Sequence, residues 1–120
     1  MSKPIDAAFH ELQLEYLASM PERLEELRSD IARFRAGTAG ADTSLRIRLH
    51  RLAGSGGSYG FVDLSSLARE AERWLAAHPM PGEADQLEAL VERLVRAVEE
   101  AGKRVGGEAG KRESGEGGQE

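Results

Sequence analysis

Apolar residues recur every three or four positions along most of the chain, the spacing that gathers them on one face of an α-helix. The first run covers residues 5–35, where Phe9, Leu12, Tyr16, Met20, Leu24, Leu27, Ile31 and Phe34 form one stripe. Pro21 interrupts it, and Ser19-Met20-Pro21-Glu22 reads as a capping box with proline near the first turn of a new helix. Either one helix kinks at Pro21, or a helix ends near Ala18 and another starts at once. The stripe keeps its phase across the proline, which favours a continuous or slightly bent element. Gly37 then supplies a C-cap and residues 38–41 a loop. Asp42 or Thr43 caps the next helix, which runs to about Tyr59 and stops at Gly60. A third starts at Asp63 and runs from Leu64 to about Ala77, with Leu64, Leu67, Ala68, Ala71, Trp74 and Leu75 inward. His78-Pro79-Met80-Pro81-Gly82 breaks the pattern. A last helix, from about Glu83 to Ala101, turns Leu87, Leu90, Val91, Leu94, Val95 and Val98 inward. Amphipathic helices with short connections predict an all-α fold, an antiparallel four-helix bundle whose N-terminal helix is split or kinked at Pro21. From Gly102 onward Gly, Glu, Lys, Arg and Ser replace nearly all apolar residues. That change predicts a bundle over residues 1–101 and a disordered tail over 102–120.

Composition narrows the class. The chain has 120 residues, the size of one domain, and is 40% hydrophobic but only 5% aromatic, so Leu, Ala and Val must build the core. It has no cysteine, which excludes disulfides and thiolate metal sites. No apolar run approaches the roughly 18–20 residues that span a membrane. The N-terminus Met-Ser-Lys-Pro-Ile-Asp lacks the apolar segment of a signal peptide. A soluble cytoplasmic protein is the expectation. The net charge is −5, with no basic cluster of the kind that tracks nucleic acid. In the tail, Lys103, Arg104, Lys111 and Arg112 balance Glu108, Glu113, Glu116 and Glu120, so the whole excess lies in residues 1–101. Within that acidic region, residues 43–61 hold Arg46, Arg48 and Arg51 and no acid. A solvated helix face would show such a run; so would a surface for an acidic partner or a phosphoryl group.

The stretch Leu49-His50-Arg51-Leu52-Ala53-Gly54-Ser55-Gly56-Gly57-Ser58-Tyr59-Gly60-Phe61 is the outlier. Glycine costs roughly 0.5–1 kcal/mol relative to alanine inside a helix, so so many glycines argue for a loop. The residues speak against a phosphate-cradling loop, because no Lys-Ser/Thr follows the glycines and no strand precedes them. As helix, the stretch continues the stripe Leu45, Leu49, Leu52, Gly56 and Tyr59. His50 then stands on the opposite face, with Thr43, Arg46, Ala53, Gly54 and Gly57 as its neighbours at helical spacing. That face is nearly bare on its C-terminal side, and bareness lets another protein approach the imidazole.

His-Arg-Leu-Ala-Gly-Ser-Gly-Gly-Ser-Tyr-Gly-Phe resembles the phosphoacceptor motif of histidine-containing phosphotransfer (HPt) domains of bacterial phosphorelays. The family pattern reads His-x-Leu-Lys/Ala-Gly-Ser-small-small-x-x-Gly, and His50 to Gly60 fit it. The resemblance extends more loosely over about residues 5–101. It implies a helical bundle carrying a phosphoryl group on one exposed histidine, His50, between receiver-domain aspartates and a histidine kinase. It implies no cofactor of the domain's own, the Mg2+ belonging to the partner receiver; charge and hydropathy add that neither nucleic acid nor membrane is an expected partner, and a monomer is expected. Many members carry lysine three residues after the histidine, where this chain has Ala53. A substituting cation would be Arg46 or Arg51, with Ala53, Gly54 and Gly57 leaving room for the partner.

The chemistry asks little of the carrier itself. An imidazole of ordinary pKa, about 6.5, is largely neutral near neutral pH, and its free lone pair attacks phosphorus without a strong base. No nucleophile–base–orienter set is visible, so the chain reads as a phosphocarrier and not as an enzyme in its own right. The alternative is a non-phosphorylated helical adapter that binds a receiver or kinase through the same face. His10, in a generic amphipathic run, reads as exposed or marginally packed, and His78 as a helix-end residue before proline. The three histidines do not fall at ligand spacing, so no metal site is expected. Tyr59 and Phe61 are expected to pack the end of the His50 helix, and Arg48, angled towards the core side, to run along a helix groove.

Overall fold

The computed structural model describes residues 4–77, 82 and 84–117, with side chains described for 7–77, 82 and 84–106. The described residues form five helices: α1 (Pro4–Ala18), α2 (Met20–Arg35), α3 (Ala41–Ser58), α4 (Val62–Ala77) and α5 (Ala84–Gly117). The expected break at His78–Pro81 lies outside the described residues.

The N-terminal stripe is split, and by one residue. Pro21 has no N–H to donate to the carbonyl four residues back, so the helical ladder fails there. Ser19 nevertheless keeps helical dihedrals (φ −84°, ψ −9°), and its N–H reaches the carbonyls of Glu15 and Tyr16 at 3.2 and 3.1 Å. The apolar phase therefore passes from α1 into α2, and Met20 is fully buried. The expected capping box does not form. The Ser19 hydroxyl turns back to donate to the Tyr16 carbonyl at 2.7 Å, because helical dihedrals at Ser19 hold it away from the α2 amides.

Glycine sets the corners. At the end of α3, Gly60 has φ +83°; its N–H donates to Gly57 O at 3.0 Å and that of Phe61 to Gly56 O at 2.8 Å. This left-handed stop satisfies the last carbonyls of α3 and turns the chain directly into α4. The expected cap at Asp42 or Thr43 falls instead on Gly40 (φ +84°), whose carbonyl accepts from the Ser44 N–H at 3.1 Å. The left-handed turn brings the chain into helix earlier, leaving Asp42 in the first turn, where its charge suits the helix dipole.

Helices α2, α3, α4 and α5 pack in a closed ring in which each lies against its two neighbours, with α2 diagonally across from α4 and α3 from α5. α2 and α5 run antiparallel, since Arg35 pairs with Asp85 and Glu88 at 2.8 and 2.9 Å and Arg28 with Glu92 at 3.7 Å. The core is aliphatic, as composition required: Leu24, Leu27, Ile31, Leu45, Leu49, Leu52, Leu64, Leu75, Leu87, Val91 and Leu94 are buried. Tyr16, Tyr59 and Phe61 close the end of the ring at the α3–α4 turn, with the Tyr16 ring centroid 4.6 Å from Tyr59 and 5.9 Å from Phe61. Gln13 fixes the same corner by donating to the Tyr59 carbonyl at 2.8 Å.

α1 continues beyond this ring and packs against α5 and the start of α2. With neighbours on only part of its surface, it cannot bury its whole stripe: Phe9 and Leu12, expected inward, are 40% and 45% exposed. His10 is half-buried, with Nε2 enclosed and unbonded. Nor does α5 stop where the composition changes. It continues through Gly102, and Ala101 and Val105 are buried. Extending the antiparallel pairing of Arg35 with Asp85 and Arg28 with Glu92 along both helices brings the stretch of α5 past residue 100 opposite α1. The helix is thus supported by packing where its own sequence supports it poorly. The expectation for residues 118–120 lies outside the described residues.

Candidate functional site

His50 sits in the middle of α3, opposite the buried Leu45, Leu49 and Leu52, and its side chain is 77% exposed. The stripe beneath it decides this orientation, because those leucines are needed in the ring and only one rotation of α3 supplies them. α3 lies close on α4 because Gly56 has no side chain. A Cβ there would collide with Leu64 Cδ2 and stand 3.4 Å from the Ser65 backbone nitrogen. The Ser65 hydroxyl uses this proximity to donate to the Ala53 carbonyl at 2.7 Å.

The closeness of α4 gives His50 a partner that sequence reasoning missed. Nδ1 lies 3.1 Å from Glu72 Oε2, the carboxylate being partly buried. A carboxylate only accepts, so the contact places the ring proton on Nδ1 and leaves the Nε2 lone pair directed outward. Two hollows flank the ring. One, of about 290 Å3, is lined by Thr43, Arg46, Ile47, His50, Arg51 and Glu72. The other, of about 400 Å3, is lined by His50, Ala53, Gly54, Arg69, Glu72 and Arg73.

Of the residues the sequence pointed to, Arg46 and Arg51 are thus on one side of the ring and Ala53 and Gly54 on the other. Gly54 is open as expected; a Cβ added there meets nothing within 4 Å. Ala53 differs from expectation in being 3% exposed: it forms part of the α3–α4 contact and contributes an empty floor, not an open surface. Gly57 is exposed but lines neither hollow; a Cβ there would touch Ser65 Oγ at 3.4 Å. Besides Glu72, the missed residues are Arg69, Arg73 and the 45%-exposed Ile47. A signal for the first three exists. α3 and α4 form a hairpin about Gly60, so residues about equally distant from the turn face one another, as Ser65 faces Ala53 and Glu72 faces His50.

The charge of the site is positive. Arg46, Arg51, Arg69 and Arg73 are exposed and form no ion pair among the described residues. Arg28, Arg33, Arg35, Arg48 and Arg93, by contrast, each meet a carboxylate. Arg48 does lie in a groove, as expected, but for a specific reason. Its Nε donates to Asp30, a fully buried carboxylate on α2 that Arg33 also bonds, and its Nη1 donates to Glu26 at 2.8 Å. The hydrogen bond to Asp30, outweighing burial, raises the Arg48 guanidinium above its ordinary value, so this tie between α2 and α3 stays charged. Among the described residues no three His, Cys, Asp or Glu side chains converge, and none of the helices is long and apolar enough to cross a membrane. A nucleophilic nitrogen amid unpaired guanidiniums is an arrangement for an anion.

The family model described as Hpt domain matches residues 11–101, which contain the α3–α4 hairpin and all the residues of the two hollows. No curated protein and no solved structure matches the chain.

Proposed function

The chain belongs to the Hpt domain family, whose members carry phosphoryl groups on histidine in phosphorelays, and on that premise we propose that His50 is the phosphoacceptor of this protein. The observation that carries the reading is the exposed His50 ring with Nδ1 held by Glu72 and Nε2 free. In the forward step the Nε2 lone pair attacks the phosphorus of a receiver aspartyl phosphate. The Nε2–P bond forms as the bond from phosphorus to the aspartate oxygen breaks, and the aspartate leaves as carboxylate. The ring becomes positively charged, and the Glu72 carboxylate beside Nδ1–H stabilises it. The return step reverses these changes, so one geometry serves acceptance and donation. The domain contributes nucleophile, orientation and access, while the receiver brings the divalent cation that its acyl phosphate requires. Ile47, with Arg46 and Arg51 around it, offers an acidic partner an apolar contact inside a basic rim.

The test is incubation of the chain with a phosphorylated receiver domain, followed by a search for acid-labile, base-stable label. The expected result is label on the native chain and none on His50→Gln, whose melting temperature should match the native one because the side chain is exposed. Acid-stable label would place the phosphate on a hydroxyl and refute His50 as acceptor, and no label from any receiver would favour an adapter that docks through this face without accepting phosphate.

A further inference from the structure

We infer that Arg69 and Arg73 of α4 hold the phosphoryl group, in the hollow over Ala53 and Gly54, during its transfer to His50 and while His50 carries it. The inference rests on His50 as the acceptor and assigns the phosphoryl-binding residues of that site.

The need is electrostatic. A phosphoryl group on Nε2 brings a charge close to −2 beside Glu72, which already holds Nδ1. Positive charge must therefore stand nearby and must be free to turn to the incoming oxygens. Arg69 and Arg73 are spaced one helical turn apart on the same face of α4, a spacing that sets Cβ atoms about 5–6 Å apart and lets the two side chains hold different oxygens of one group. Both line the hollow that His50 lines, and neither has a carboxylate to leave first among the described residues.

The space is there as well. Across from the arginines the walls are Ala53, ending in a methyl group within the helix contact, and Gly54, where even a Cβ would meet nothing. The hollow on the other side of the ring has side chains where this one has a void: Thr43, Ile47, Arg46 and Arg51 line it, and it is smaller, about 290 against 400 Å3. That side suits contact with a protein surface; the α4 side suits a small anion.

The test separates chemistry from docking by using a small donor, phosphoramidate, on the full chain. Nε2 attacks phosphorus, the P–N bond of the donor breaks, and its nitrogen takes a proton and leaves as ammonia, so no receiver surface takes part. Labelling rate and phosphohistidine lifetime are followed by phosphate-affinity gel and 31P NMR. Labelling should slow about tenfold in Arg69→Ala or Arg73→Ala and about a hundredfold in the double variant. Lysine at either position should recover part of the loss, and melting temperatures should stay native because both side chains are exposed. Arg96→Ala, on α5 and outside both hollows, controls for the loss of one positive charge. A double variant that labels within about twofold of native, or a loss carried instead by Arg46→Ala/Arg51→Ala, overturns the inference while leaving His50 as acceptor. If His50→Gln takes label at the native rate, the acceptor reading fails and the inference with it.

Discussion

Glutamine introduced at Gly54 or at Gly56 is the same chemical change two residues apart, and the structure assigns the two positions opposite outcomes. Each substitution gains helix propensity, about 0.5–1 kcal/mol. At Gly54 nothing opposes the gain, since a Cβ meets no atom within 4 Å. Gly54→Gln should melt a few degrees above the native chain. At Gly56 the new Cβ lands on Leu64, whose side chain is 1% exposed and has nowhere to turn, and the amide follows it into the α3–α4 contact. Overpacking costs about 1–3 kcal/mol and an unsatisfied buried amide a further ~1–3 kcal/mol. After the propensity gain, the net loss is about 1–5 kcal/mol, enough to lower the melting temperature by several degrees or more. Function should divide the other way. The longer side chain at Gly54 stands in the hollow beside His50 and should slow phosphoryl transfer, whereas folded Gly56→Gln keeps the site clear. Thermal melts and receiver-to-histidine transfer rates, measured on both variants well below their midpoints, check this. Alanine at each position checks packing alone, stabilising at 54 and not at 56. If Gly54→Gln is the unfolded variant, the rotation of α3 that exposes His50 is wrong.

Two further outcomes follow from the contacts of the site and of the helix that bears it. Glu72→Ala should slow transfer about tenfold and Glu72→Gln less, because the amide oxygen still accepts from Nδ1–H but carries no charge; 15N chemical shifts of His50 should show the Nδ1–H form dominant in the native chain and depleted in Glu72→Ala. Arg48→Met should cost about 2–4 kcal/mol by urea unfolding, since it leaves the buried Asp30 to Arg33 alone, and adding Asp30→Asn should restore part of the loss. The raised Arg48 guanidinium gives a sign to the pH dependence: its contribution is complete below the ordinary arginine range and is lost only above it, so the Arg48→Met deficit should be the same at pH 7 and pH 10.

Most of the fold is legible in the spacing of leucines, because burial of that many side chains permits few rotations of each helix. Leu45, Leu49 and Leu52 fixed the facing of α3, and with it the exposure of His50, without any tertiary knowledge. Caps were read less well. Asp42 and Ser19 are good capping residues by type, yet a left-handed Gly40 supplied one entry and a nearly unbroken ladder at Ser19 left the other without need of a cap. Local preference loses wherever backbone geometry already satisfies the amides. Polar chemistry inside the core was also hidden. Asp30 stands between Ser29 and Ile31 in a helix with many charged residues, and nothing in its neighbours says that Arg48, on another helix, will neutralise it.

The site divides along the same line. Most of what α3 contributes — the proposed phosphoacceptor, the small residues beside it and two arginines — lies within one short stretch, where helical period alone relates the residues. What α4 contributes becomes visible only once the hairpin is closed at Gly60, because Arg69, Glu72 and Arg73 look in sequence like the solvated face of an ordinary amphipathic helix. The roles proposed for them are electrostatic, and electrostatic partners need proximity, not adjacency. This also accounts for Ala53. A long cationic side chain at that position would have to leave a helix contact in which Ala53 is 3% exposed, while α4 presents two guanidiniums to the same hollow from across the groove. Position 53 is then free to be small, small residues there let α4 come close, and the closeness brings Glu72 within hydrogen-bonding distance of Nδ1. Packing of the hairpin and charge at the histidine are in this way linked, because the small residue at position 53 helps set how near Glu72 stands to the ring.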